Sequence, residues 1–385
     1  MIDAVFASIP AMILATGLLV GLSGALLGTF LVLRGASMLT DAISHAIVLG
    51  IITVWLLTGH LSGPVQLIGA AITGVITVAL TQLVQRTQLV RMDTAIGLVF
   101  PAMFALGVLL INLNARNVHL DVDAVLLGEI AFVWIDTTPV LGQPVPVALL
   151  ALAVVFAVNA GFVLLLWKEL KLAVFDPALA TSLGFAPGLV FYALLSLTSV
   201  TAVASFEAVG AILFIAFVIV PPATAFLLTR RLPAMLGLSM ALAAAACVTG
   251  YALAVLWDVN IGAMMAVMTG AGFALALAFG PRDGLLARSR ARRAEALGID
   301  SLTLVVHLAA HEGTRREAEE NTRPALIRHL GWSERRARAA LRNALDAGLV
   351  ARATPPQSHA APLLLTAEGR ARATRLMPLR PDAAD

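Results

Sequence analysis

Arg34-Gly-Ala-Ser-Met-Leu-Thr-Asp41-Ala-Ile-Ser-His45-Ala-Ile-Val-Leu-Gly50-Ile-Ile-Thr-Val-Trp55 is an apolar run broken by one carboxylate and one imidazole. On a helix, residues four apart share a face. If the helix begins near Met38, a rise of 1.5 Å per residue puts Asp41 about 5 Å and His45 about 11 Å inside it. Ser37 extends the same polar stripe. Ionisable groups inside a membrane are costly, and they mark function unless they are paired for structure. The spacing alone leaves three readings open. The pair could be half of a divalent-metal site, a proton relay, or an ion pair that locks helices together.

The rest of the chain supplies the membrane. It is 59% hydrophobic and 13% charged, with mean hydropathy +0.92, which no soluble domain requires. Apolar runs long enough to cross the hydrocarbon core fall near 9–33, 38–58, 64–85, 93–113, 145–167, 187–205, 207–229, 233–256 and 262–280. The expected fold is an all-α polytopic membrane protein of about nine transmembrane helices. Met-Ile-Asp-Ala-Val-Phe at the start has no basic region, which argues against a cleaved signal peptide. Arg34, Arg86, Arg91, Lys168, Lys171, Arg230 and Arg231 lie on alternate connections, so the positive-inside rule predicts an outside N-terminus and a cytosolic C-terminus. The region 121–144 reads as a short re-entrant or interfacial helix. Gly17, Gly21, Gly24 and Gly28 predict close helix packing, and Pro221-Pro222 predicts a kink.

Charge divides the chain. Residues 1–281 hold 8 Lys+Arg and 11 Asp+Glu, and the remainder 18 and 12. We therefore expect a membrane domain at 1–281, a basic linker at 282–298 and a small cytosolic domain at 299–385. The single cysteine, Cys247, excludes an intrachain disulfide or a multi-cysteine metal site.

Other polar residues carry less information. Asp93 opens a span and reads as a helix-terminal carboxylate. Glu129 and Glu207 lie toward the predicted outer side, either on a substrate path or simply in water. His60 and His119 read as loop residues. Asp176-Pro177 is a helix-start signal and Gly184 a stop, so a short helix is expected in a cytosolic loop. No P-loop is present, and Lys168 and Lys171 are the only lysines, so nothing here hydrolyses ATP by that route. No metalloprotease or serine-hydrolase motif is present either.

Five stretches, taken in order, resemble the integral-membrane permeases of bacterial manganese, zinc and iron ABC importers. They are Leu33-Arg-Gly-Ala-Ser-Met-Leu-Thr-Asp-Ala-Ile-Ser-His-Ala, Met92-Asp-Thr-Ala-Ile-Gly, Leu126-Leu-Gly-Glu, Phe175-Asp-Pro-Ala-Leu-Ala, and Val209-Gly-Ala-Ile-Leu-Phe through Pro222-Ala-Thr-Ala. The resemblance covers about residues 1–281. It implies that Asp41 and His45 coordinate the transported Mn, Zn or Fe ion, with no permanently bound cofactor. It implies that Phe175, Asp176, Pro177, Leu179 and Gly184 belong to a helix coupling the permease to a separate ATPase subunit. The implied partners are that ATPase, a second permease subunit and an extracytoplasmic metal-binding protein, in the bacterial inner membrane. The family often has proline where Leu49 stands, so no kink is assumed there. Two other readings remain: a proton-coupled secondary transporter with Asp41/His45 as relay, and a membrane-anchored metal sensor with a DNA-binding tail.

The tail resembles a winged-helix α+β domain of the sort found in metal-responsive repressors. Ser301–Glu312 reads as a helix. Thr322 caps a second, with Pro324 in its first turn, and Ser333 caps a third that ends near Gly348. Leu349–Ala353 and Pro362–Leu365 read as two strands, and Thr366–Met377 as a last helix. In the third helix Ala337, Leu341, Ala344 and Leu345 form a core stripe, while Arg335, Arg338 and Arg342 form a face for polyanions, either membrane lipid headgroups or the ATPase. DNA is not the expected partner.

Overall fold

The computed structural model describes residues 8–59, 64–114, 128, 130–140, 143–281, 284–352 and 362–377. The chain divides into two compact units, Met1–Gly284 and Leu285–Asp385.

In the first unit, nine described helical segments are long and apolar enough to cross a membrane. They lie on α1 (Ile9–Leu33), α2 (Met38–Thr58), α3 (Pro64–Arg86), α4 (Met92–Asn114), α5 (Val147–Leu165), α8 (Pro187–Leu228, which supplies two), α9 (Leu232–Trp257) and α10 (Ile261–Phe279). Two short helices, α6 (Trp167–Phe175) and α7 (Pro177–Ser182), follow α5. Helix α8 is the hub, packed on α1, α10, α9 and α3; α1 packs also on α9 and α5, and α2 on α3 and α4. Phe30, Leu27 and Leu31 of α1 and Phe214 and Phe217 of α8 are fully buried. Between apolar helices in lipid, close contact and polar pairs hold the bundle. The α1 glycines supply the contact, and Thr29–Ser239 (2.9 Å) and Asn159–Thr201 (2.9 Å) are buried hydroxyl and amide pairs across helices.

The expected kink at Pro221-Pro222 is not where α8 breaks. Its non-helical residue is Gly210, at φ 73° and ψ 170°. A left-handed φ costs glycine nothing, whereas the prolines already hold a helical φ. What the prolines do is remove donors. Without an N–H, Pro222 leaves the Val218 carbonyl free of its helical bond. That carbonyl lies where a Cβ on Gly28 would be, so the gap in α8's ladder and the bare surface of α1 meet. Gly128, at φ 68°, packs on the Val209–Gly210 backbone in the same way.

Much of 121–144 is also not the helix expected. From Ile130 it is one 3₁₀ turn (Ile130–Phe132) and a hairpin, β1 (Thr137–Val140) with β2 (Gln143–Pro146), pairing Thr137 with Pro146. Pro139, Pro144 and Pro146 deny helix, and Thr and Val favour strand. Residues 121–127, 129, 141 and 142 lie outside the described set.

The second unit runs α11 (Leu285–His311), α12 (Glu317–Glu320), α13 (Arg323–Leu330), α14 (Glu334–Asp346), β3 (Val350–Arg352), β4 (Leu363–Leu365) and α15 (Ala367–Leu376). Strands β3 and β4 pair antiparallel, Val350 with Leu365. The stretch read as a linker is helical from Leu285. Leu304, Val305, Leu308, Leu326, Trp332, Leu341 and Leu365 form the core. Ser333 caps α14 by accepting the Arg336 N–H at 3.3 Å. Thr322 holds the N-cap place of α13 but does not cap it. Its hydroxyl donates to the Glu319 carbonyl at 2.9 Å, because α12 ends there and leaves that carbonyl unpaired.

Candidate metal site and the permease family

Asp41 sits in the first turn of α2 and His45 one turn later. His45 Nε2 stands 3.5 Å from Asp41 Oδ1, beyond a good hydrogen bond. Both are about two-fifths exposed in the single chain (39% and 44%). Their neighbours on the same helix point inward: Ala42, Ile43, Ser44 and Ala46 are buried. Helix α2 therefore seats its apolar face in the bundle and turns the two donors to the open side. It runs unbroken through Leu49.

Helix α4 holds the imidazole in place. The His45 ring stacks on Phe100 (centroids 5.7 Å apart, 30° between planes) and meets Phe104 edge-on (5.9 Å, 73°). The sequence reading missed these two rings. The available signal was their i, i+4 spacing on the helix that Asp93 opens, since Asp93 does lie in its first turn.

After α6, Asp176 Oδ1 accepts the Leu179 N–H at 2.9 Å, with Pro177 at the first helical position. Gly184 turns the chain out of the helix at φ 84°. Phe175, Leu179 and Leu183 are exposed (59%, 45% and 59%) while Ala180 is buried, so this short helix presents an apolar surface.

Glu129, His60 and His119 lie outside the described residues. Glu207 is on the α8 backbone three residues before the break, with its side chain outside the described set. In the second unit Arg335, Arg338 and Arg342 are exposed opposite buried Ala337, Leu341 and Ala344. Arg338 is bound to Glu334 (3.3 Å), and neighbouring Arg336 makes two bonds to Asp300, at 2.9 and 2.7 Å. The Asp300 carboxylate holds that guanidinium above its ordinary value. Burial, then the nearby His311, pushes the His307 imidazole below its ordinary value.

The family model of the ABC 3 transport family matches residues 8–280. The chain belongs to the ABC 3 transport family. Its membrane unit is thus that of a permease, a multi-pass protein of the bacterial inner membrane. The permease is 44% identical to the zinc transport system membrane protein TroD of Treponema pallidum (strain Nichols), over 91% of this chain and 94% of that one. It is 46% identical to the manganese transport system membrane protein MntD of Bacillus subtilis (strain 168), over 73% of this chain and 95% of that one. The first alignment runs past the membrane unit and the second need not. Among solved structures it is similar to PsaBC from Streptococcus pneumoniae in complex with Fab, at TM-score 0.60 and 26% identity, covering 74% of this chain and 98% of that one.

Proposed function

We propose that this permease moves a divalent transition metal, zinc, manganese or iron, through the membrane by way of Asp41 and His45. One observation carries the assignment: the separation of the two donors. Two atoms each about 2.1 Å from one ion stand about 3.4 Å apart at a tetrahedral angle, and the pair is 3.5 Å apart without a hydrogen bond between them. An oxygen and a nitrogen at that spacing, exposed in an otherwise apolar span, chelate an ion without rearrangement. The relatives named for zinc and manganese transport point to the same cargo class.

Two donors are too few for ions that take four to six. The open side of α2 is where a second permease subunit would add its own pair. The energy comes from separate ATPase subunits, which dock on the exposed apolar residues of α7 and Phe175. Metal is delivered by an extracytoplasmic binding protein to the side opposite the basic loops, with the second unit in the cytosol. The second unit, in its order of three longer helices, two strands and a helix, supports a winged-helix reading.

The test is reconstitution. The permease co-expressed with its ATPase and placed in liposomes takes up radioactive zinc or manganese when ATP is supplied. Full uptake by the permease alone, driven by a proton gradient, would overturn this reading in favour of a proton relay. Mass spectrometry of metal in the purified complex names the cargo.

A further inference from the structure

We propose that His307, His311 and His329 of the second unit form a separate transition-metal site, taking a borderline divalent ion such as Zn²⁺ through three imidazole nitrogens. The proposal uses none of the membrane residues.

The three rings cluster. Centroid separations are 4.6 Å for His307–His311, 5.7 Å for His307–His329 and 6.4 Å for His311–His329. With a metal–nitrogen bond of about 2.0 Å and a ring centre about 1.1 Å beyond the nitrogen, two rings at a tetrahedral angle have centres about 5.1 Å apart. The observed values bracket that figure. His307 and His311 are i, i+4 on α11, the spacing by which one helix face gives two imidazoles to one ion. His329 comes across from the last turn of α13.

Two of the rings already have the Nδ1 partner that ligation through Nε2 calls for. A ligating histidine donates its other ring N–H to a carbonyl or carboxylate, which fixes the tautomer. His311 Nδ1 stands 2.9 Å from the His307 carbonyl, a bond it makes as donor. His329 Nδ1 is 3.0 Å from Glu320 Oε2. Both leave Nε2 with its lone pair. His307 Nε2 is buried and lacks a hydrogen-bond partner. A buried, unpaired ring nitrogen is expensive, and a metal ion would satisfy it.

Among the described residues no three His, Cys, Asp or Glu side chains converge on one point as they stand. Closing the site takes ring rotations that bring His311 and His329, now 6.4 Å apart, inside the roughly 6.2 Å that two rings on one ion can span. His329 is partly exposed (37%), so the fourth position opens to solvent and water. An all-imidazole donor set prefers Zn²⁺, Co²⁺ or Ni²⁺ to Mn²⁺.

The test uses the full chain in detergent, made without a histidine tag, in an Asp41→Ala/His45→Ala background, so that the membrane pair contributes nothing in any arm. Co²⁺ is the probe. The expected result is one bound equivalent with the intense visible absorption of a four-coordinate site, displaced by Zn²⁺ and accompanied by a higher melting temperature. His311→Gln/His329→Gln should abolish the band, and His329→Gln alone, at an exposed position, should weaken Co²⁺ at least tenfold with unchanged melting of the metal-free protein. Absence of the equivalent in the background protein, or its full retention in the double glutamine variant, overturns the site. Neither result bears on transport through Asp41 and His45.

Discussion

Removing His45 separates a metal ligand from a packing residue, because the two roles differ in size. His45 contacts Phe100 and Phe104, and an aromatic pair is worth about 0.5–1.5 kcal/mol. The ring is 39% exposed, so the lower end applies and His45→Ala costs about 1 kcal/mol of stability. For a unit of this size that lowers Tm by about 2–4 °C. Ligand loss is larger. Outer-shell partners of a metal already cost about 10–100-fold, so a direct donor should cost at least about 100-fold, or about 2.7 kcal/mol. Asp41→Ala removes an acidic group from the first turn of α2, worth about 0.3–1 kcal/mol to the helix, so it should also fold. Because both donors hold one ion, the double variant should be little worse than either single one. The assay is metal accumulation in cells lacking their own importer, paired with a thermal scan of the purified permease. Well-expressed variants within about threefold of wild-type uptake, under 1 kcal/mol, would refute the coordination argument. Loss of uptake with a Tm drop of tens of degrees would refute the claim that the ring is dispensable for folding.

Phe175→Asp/Leu179→Asp should cut co-purification of the ATPase at least about tenfold, since exposed apolar anchors dominate such contacts, while metal binding by the permease stays intact. Asp176→Ala loses the cap on α7 and should destabilise that turn by about 1 kcal/mol, seen as faster amide exchange there. Gly28→Val should lower Tm sharply, because the added Cβ falls on the Val218 carbonyl and overpacking costs about 1–3 kcal/mol or more. Gly237→Ala, which meets nothing, should be neutral or gain up to about 1 kcal/mol. A chain ending at Gly284 should still insert and transport with its ATPase, as judged by uptake per inserted molecule.

The spans were legible because lipid leaves a segment one choice, a run of about 20 apolar residues closing its own hydrogen bonds. The Asp41–His45 face and the Asp176 cap were legible because each depends on residues three or four apart. What stayed hidden depends on distant partners. In sequence Pro222 reads as a kink because only its own helix is visible there, whereas its effect is the free Val218 carbonyl set against Gly28. Phe100 and Phe104 read as ordinary apolar residues until α4 met α2. His307 and His329 lie on different helices, and nothing in their local sequence brings them together.

The same distinction bears on what the second unit touches. Arg335, Arg338 and Arg342 read in sequence as a uniform basic face for polyanions. In the structure Glu334 binds both Arg338 (3.3 Å) and Arg323 (3.0 Å). A phosphate docking on α14 must therefore compete with a carboxylate already on that face. Exposed ion pairs are worth under about 1 kcal/mol each, so the competition is mild. It nevertheless removes part of the charge that counterion release requires. The full chain should bind anionic lipid vesicles or random DNA weakly, with a shallow salt slope, and Glu334→Gln should steepen the slope by about one phosphate contact. A tight, sequence-specific footprint at physiological salt would show that α14 reads base edges and would revive the sensor reading. Absence of any salt dependence would leave the basic face to the ATPase.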